Sequence, residues 1–291
     1  MREPGIGFSL PVYALLAGVL VWPMAYVFYL SFYSFHLLTG QMSFVALHNY
    51  AAVVKDATFL SAIRNTCLYT SASVTLELLL GVGMALLLHR PGRFMAIVRG
   101  AVIAPWALSP VVAGLVWRML FHSNYGILNY LLSLLGVPMG QLQWLSTPGL
   151  AMVAVITTEV WQNAPFVYVI VYAGLQSLPA EPEEAAAVDG ASLWQIFRFI
   201  TLPQLVPAIG VAGSFRTILA LREFTIPWTV TGGGPANATL MLSIYLYRQM
   251  LQFFELGRAA AVGWIMLLLT AVLAAAFVAR ASRPPESALT Q

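Results

Sequence analysis

Apolar residues dominate this chain in six blocks separated by shorter polar intervals. The blocks run near 8–32, 66–88, 100–121, 150–175, 204–227 and 259–279. Each approaches the roughly 20 apolar residues that a helix needs to cross a bilayer core. Backbone N–H and C=O groups in lipid must be satisfied within their own segment, so the pattern predicts six membrane-spanning helices. No alternation of the kind that marks a membrane barrel is present. Three blocks carry one charged residue deep inside: Glu77 in the second, Glu159 in the fourth and Arg216 in the fifth.

A further apolar stretch, "TLMLSIYLYRQMLQFFELG" at 239–257, holds Arg248 and Glu255. As a seventh span it would move the C-terminus to the other side. The pattern favours a helix in the outer interface, where Tyr and Phe rings suit the headgroup level.

The interval before the fifth block, "EEAAAVDGASLWQIFRFITLP" at 183–203, follows another rhythm. Pro182 suits an early helical position, where its missing N–H costs nothing. Glu183 and Glu184 then favour the positive end of the helix dipole. Alanines 185–187 continue the helix, and Gly190 can take the left-handed conformation that closes it. Ser192 and Gln195 have the spacing of a capping box that opens a second helix. Leu193, Ile196, Phe197 and Ile200 recur on one face of it. Pro203 is expected to end it, because the residue before a proline is pushed out of the helical region. The prediction is an elbow of two short helices over 181–203. Its acidic residues, Glu181, Glu183, Glu184 and Asp189, with Arg198 alone opposite, suit a protein partner better than an anionic lipid surface.

Composition agrees with a membrane protein. Of the 291 residues 60% are hydrophobic and only 9% charged, against about 25% charged in a soluble domain. The net charge of +3 is small and scattered, which excludes a nucleic-acid partner. The single Cys67 gives no disulfide framework, and His36, His48, His89 and His122 lack metal-ligand spacing, so no metal is expected. The run from Ile6 to about Tyr33 is too long for a cleaved signal and reads as a retained span. Asn237-Ala238-Thr239 has the form of a glycosylation sequon, which chance also produces.

Charge in the connections orients the bundle. Arg90, Arg93 and Arg99 crowd between blocks two and three, whereas 122–149 contains no Lys or Arg. Positive residues mark the cytoplasmic side, so the elbow and both termini are expected inside. Arg2, Arg280 and Arg283 agree; Lys55 and Arg64, in the first outer loop, do not.

The elbow resembles the EAA loop of permease subunits in binding-protein-dependent ABC importers, through Glu184, Ala185, Ala186, Asp189, Gly190, Leu202 and Pro203. "VWQNAPFVYVIVYAGLQSLPAEPEEAAAVDGAS" and "TVTGGGPANATLMLSIYLYRQML" are similar to segments of carbohydrate permeases of the maltose and trehalose type. Glu223-Phe224 stands near where that subfamily often has Phe-Asp. The resemblance covers roughly 8–280 and implies one permease domain of the type I importer fold. It implies that these elbow residues, with Ser192 and Arg198, couple to a cytoplasmic ATPase. It also implies a second, different permease, two ATPase copies and an external sugar-binding capture protein, in a prokaryotic cytoplasmic membrane. The chain itself has no P-loop, so ATP and magnesium belong to the ATPase.

A path for a disaccharide or oligosaccharide such as trehalose or maltose is expected near Glu159, Trp161, Gln162, Asn163 and Phe166, with Arg216 and Glu223. Intramembrane ionisable groups usually face a partner or a watery path. The competing role for the polar members is bonding between helices, and Arg216 can pair with Glu77 or Glu159. Other solutes, such as glycerol phosphate or a peptide, remain open; an intramembrane enzyme lacks a Ser–His or His–Glu constellation in the spans.

Overall fold

The structure is a computed structural model that describes residues 11–13, 15–89, 92–138 and 142–281. In chain order, a π turn (Ala17–Val21) leads into α1 (Trp22–Ser31). A small hairpin follows, β1 (Tyr33–Phe35) and β2 (Met42–Phe44), then α2 (His48–Lys55) and α3 (Ala57–Leu88). Next come α4 (Met95–Ala107), α5 (Pro110–Leu120), α6 (Ile127–Leu134) and α7 (Pro148–Gln176). The elbow comprises α8 (Glu181–Val188) and α9 (Leu193–Ile196), and a π turn (Phe197–Thr201) joins it to α10 (Leu202–Leu221). The chain continues with α11 (Thr225–Thr231), α12 (Leu242–Tyr247), a third π turn (Arg248–Gln252) and α13 (Leu256–Ala281).

Among the described residues four helices are long and apolar enough to cross a membrane, or five if one bent pair counts as a span. They are Pro11–Ser31, Ala57–Leu88, Leu193–Leu221 and Leu256–Ala275, with Met95–Ala107 and Pro110–Leu120 as the pair. The 29-residue α7 covers the fourth predicted block but is absent from that set. Its apolar run is interrupted by Glu159, Gln162 and Asn163. Arg90, Arg2 and Arg283, used above for orientation, lie outside the described residues, as do residues 8–10 of the first block.

Four expectations need correction. The third block is not one straight helix: α4 and α5 meet at 97°. Pro110 forces Ser109 to ψ 135°, the extended form usual before proline. The fifth block does not reach 227; it ends at Leu221, and 225–231 is a separate helix. Pro203 does not terminate the second elbow helix, because the helix runs unbroken from Leu193 to Leu221. There the Leu202 amide reaches back to the Phe197 carbonyl, so the widened turn absorbs the N–H that Pro203 lacks. Nor is the chain purely helical: β1 and β2 pair antiparallel with Tyr33 opposite Phe44. Within 239–257 lie α12 and a π turn, together too short for a span, before α13 begins at Leu256.

The chain divides into two compact units, Met1–Ser61 with Leu242–Leu269, and Ala62–Met241 with Thr270–Gln291. In the first, buried Asn49 donates from Nδ2 to the Ser31 and Tyr33 carbonyls, both at 2.8 Å, tying α2 to the end of α1 and the hairpin. Asp56 opens α3: its Oδ1 accepts from the Thr58 amide at 2.8 Å and its Oδ2 from the Tyr245 hydroxyl at 2.6 Å. Partial burial pushes this carboxyl up. Those hydrogen bonds outweigh the burial and hold it below the usual carboxylate range. Burial, and next the bond to Asp56, push the Tyr245 phenol up.

In the second unit, α3, α7 and α10 enclose a core of Ala85, Leu88, Val167, Tyr168, Val171, Leu175, Leu205 and Ala212. Close approach depends on glycine: a Cβ on Gly174 would lie 2.8 Å from the Ala208 Cβ. Arg99 closes the C-terminal end of α3. Its Nε and Nη2 donate to the Leu88 carbonyl at 3.0 and 2.7 Å, and its guanidinium sits 5.0 Å from the centre of the Tyr172 ring. It satisfies a helix-end carbonyl that would otherwise be orphaned.

Candidate functional site

The elbow forms as its sequence dictates. Glu181, Glu183 and Glu184 occupy the first turn of α8. Gly190 follows at φ +84°, the left-handed region that glycine enters without a steric penalty. The Gly190 amide donates to the Ala187 carbonyl at 3.1 Å and the Ala191 amide to the Ala186 carbonyl at 2.9 Å. Together these bonds make a Schellman closure. The Ser192 capping box is present, with the Ser192 amide donating to Gln195 Oε1 at 2.7 Å. One bond was not foreseen: buried Thr201 donates from Oγ1 to Glu183 Oε1 at 2.6 Å, clasping one arm to the other. An acceptor on one arm and a hydroxyl 18 residues later give no periodic signal; only the bend brings them together.

The elbow displays both charge and grease. Glu184, Asp189, Gly190, Ser192, Arg198 and Pro203 are exposed, as is Ala185; Ala186 and Leu202 are half-buried. Val188 is 88% exposed, Leu193 74%, Trp194 67% and Phe199 71%. An open hollow of about 340 Å³ beside the bend and the second arm is lined by Asp189, Gly190, Gln195 and Phe199. Large exposed apolar side chains rimmed by polar groups mark interaction sites, for protein or for membrane.

The residues expected along a solute path fall into two groups. Glu159, Gln162 and Arg216 are buried, at 1%, 3% and 3% exposure. All three are shut away from solvent in this chain. Arg216 donates to Glu77 from Nε at 2.6 Å and from Nη2 at 3.0 Å, and from Nη2 to Glu159 Oε1 at 2.5 Å. Three helices, α3, α7 and α10, meet in this cluster. Gln162 Nε2 donates to the Leu108 carbonyl at 3.0 Å, fastening α7 to the break between α4 and α5.

Trp161, Asn163 and Phe166 retain exposed or half-exposed surface. The Trp161 ring stands 5.6 Å from Trp117 and the Phe166 ring 5.8 Å from Trp106. Asn163 Nδ2 donates to its own helix at the Glu159 carbonyl, 3.3 Å away. Glu223 Oε1 accepts from the Ile226 amide at 3.1 Å and so caps α11.

The glycine-rich loop after α11 is organised by the two threonines that frame it. The Thr231 and Thr239 hydroxyls lie 2.6 Å apart, and Thr239 also donates to the Gly234 carbonyl at 2.8 Å. Asn65 of α3 holds the far side, donating from Nδ2 to the Asn237 and Leu240 carbonyls at 2.9 and 3.2 Å.

Comparison with known proteins agrees with this architecture. Residues 77–283 match the family described as binding-protein-dependent transport system inner membrane component. The chain is 37% identical to the sulfoquinovosyl glycerol transport system permease protein of Agrobacterium fabrum, over 92% of this chain and 87% of that one. It is 34% identical to the trehalose/maltose transport system permease protein of Thermococcus litoralis, over 95% and 92%. In fold it is similar to a chain of a bacterial ABC transporter that imports the acidic polysaccharide alginate. There the TM-score is 0.83 at 22% identity, over 96% of this chain and 95% of that one.

Proposed function

The chain belongs to the family of binding-protein-dependent transport system inner membrane components, and on that premise we propose a complete role for it as half of an ATP-driven sugar pathway. It is a non-catalytic permease subunit of a sugar importer of the ABC type. The solute proposed is a neutral disaccharide or oligosaccharide such as trehalose or maltose. Six spans cross the cytoplasmic membrane, α7 among them, with both termini inside.

The observation that carries the proposal is the elbow: a rigidly closed bend with acidic groups and exposed Val188, Leu193, Trp194 and Phe199. Its chemistry fits a cleft in a cytoplasmic ATPase, which would bind ATP and magnesium. Glu184, Ala185, Ala186, Asp189, Gly190, Ser192, Arg198, Leu202 and Pro203 would form or shape that contact. The partners proposed are a second, different permease, two ATPase copies and an external capture protein. ATP-driven closure of the ATPases would rock the two permeases between outward- and inward-open states.

Trp161, Asn163 and Phe166 of α7, with Glu223, are the proposed contributors to the sugar path, since rings and amides suit sugar faces and hydroxyls. A sulfonated solute, as the Agrobacterium relative's name suggests, would call for a free cation. Arg216 is already engaged by two carboxylates, which favours the neutral sugar.

The test is ATP-dependent uptake by proteoliposomes holding this chain, its partner permease, the ATPase and the capture protein. Saturable accumulation of trehalose or maltose is expected. Accumulation of sulfoquinovosyl glycerol with neither disaccharide taken up would contradict the substrate proposed.

A further inference from the structure

We propose that Arg216 is a positioning residue that rivets α10 to α3 and α7, so that displacement of the elbow moves three helices as one body. This rests on the elbow's proposed contact with the ATPase. The helix carrying Arg216 is the elbow's own second arm, unbroken from Leu193 to Leu221. Such a lever is weak near its root. A π turn occupies Phe197–Thr201, Pro203 follows, and Pro207 lies inside α10. Each omits or displaces one helical hydrogen bond, so a push at the elbow could be lost as bending.

Arg216 stands nine residues beyond Pro207, roughly 13 Å further along the axis at ~1.5 Å per residue. It therefore lies past every weak point. The contacts on the near side are apolar: Leu205 and Ala212 pack with Val167, Tyr168, Val171 and Ala85. Apolar packing resists separation but tolerates small slips and rotations. The guanidinium fork does not: it meets Glu77 through two nitrogens and Glu159 through one of them. Planar two-point bonding fixes both rotation and height of a helix. A buried ion cluster contributes little to stability relative to apolar side chains of the same size. Its value in this position is directional.

The assembled transporter provides the test. Glu77→Gln, Glu159→Gln and Arg216→Met are combined in one neutral, nearly isosteric variant, and sugar moved per ATP hydrolysed is measured in proteoliposomes with the capture protein. The complex is expected to assemble and hydrolyse ATP, while transport per ATP falls about ten-fold, within the usual range of coupling energies. Helix glue alone would leave that ratio unchanged, because neutral side chains of similar volume restore the packing; an unchanged ratio overturns the proposal. Arg216→Lys keeps the charge and loses the fork. It is expected to lower the ratio several-fold, and it decides the matter if the triple variant does not insert. A wild-type complex that purifies without the ATPase overturns the elbow's role and this inference together. Normal ATPase binding with an unchanged ratio overturns the rivet alone.

Discussion

Arg216 grips Glu77 through two nitrogens, at 2.6 and 3.0 Å, across 139 residues of sequence. Neither residue is solvated: Glu77 is 0% and Arg216 3% exposed. Removing one partner strands a buried charge. Glu77→Ala is expected to destabilise the purified subunit by about 3–5 kcal/mol, the usual cost of breaking a buried pair. A large fall in the thermal unfolding midpoint checks it, and Glu77→Gln should fall less because its amide still accepts from Arg216.

The clasp between the elbow's arms can be tested separately. Thr201→Val removes the donor to Glu183 while keeping the shape of the side chain. A hydrogen bond to a charged acceptor contributes about 1.5 kcal/mol. Amide hydrogen exchange should accelerate through 181–201 and stay unchanged in α3 and α7.

Gly190 separates a conformational requirement from a steric one. Its φ is +84°, and a Cβ there would meet nothing within 4 Å. Gly190→Ala should cost about 1–2 kcal/mol through left-handed backbone strain alone. Gly190→Asn should be the milder change, since Asn tolerates that region. Equal loss of transport in the two variants would show that contact at the elbow surface, not its bend, is limiting.

Acid should loosen the start of α3. The Asp56 carboxyl is held below its usual range by Tyr245 and Thr58, so the stability it gives is fully present above the unfolded carboxylate value, about pH 4. That contribution is lost as pH falls through the lower folded value. Tyr245→Phe removes one of the two donors. It should flatten the acid dependence of unfolding, because the stability it removes is the part present above about pH 4.

Much of this molecule is written in local pattern, and the rest is not. The elbow was legible because each of its parts is short-range: a capping box of four residues, a glycine stop, an acidic first turn. The blocks for α1, α3 and α13 were legible because composition alone marks them. The break at Ser109-Pro110 was not, since its apolar flanks read as one run although proline geometry carries the bend. Pro203 misled in the opposite direction: a π turn, invisible in composition, let the helix continue. Glu159 and Arg216 stood out as costly charges, but one polar residue in a span suits a path and a helix junction alike. The meeting of α3, α7 and α10 shows the junction, which no short-range pattern encodes.

The central claim is that the elbow is the handle through which an ATPase moves this subunit. It is tested most directly by Asp189→Cys in a Cys67→Ser background, treated with a short bifunctional thiol reagent in membranes holding the whole transporter. A cross-linked species joining this chain to the ATPase is predicted, with a yield that changes between the nucleotide-free and ATP-bound states. Labelling of that cysteine by an impermeant reagent from the outer side, with no ATPase adduct in either state, would contradict it.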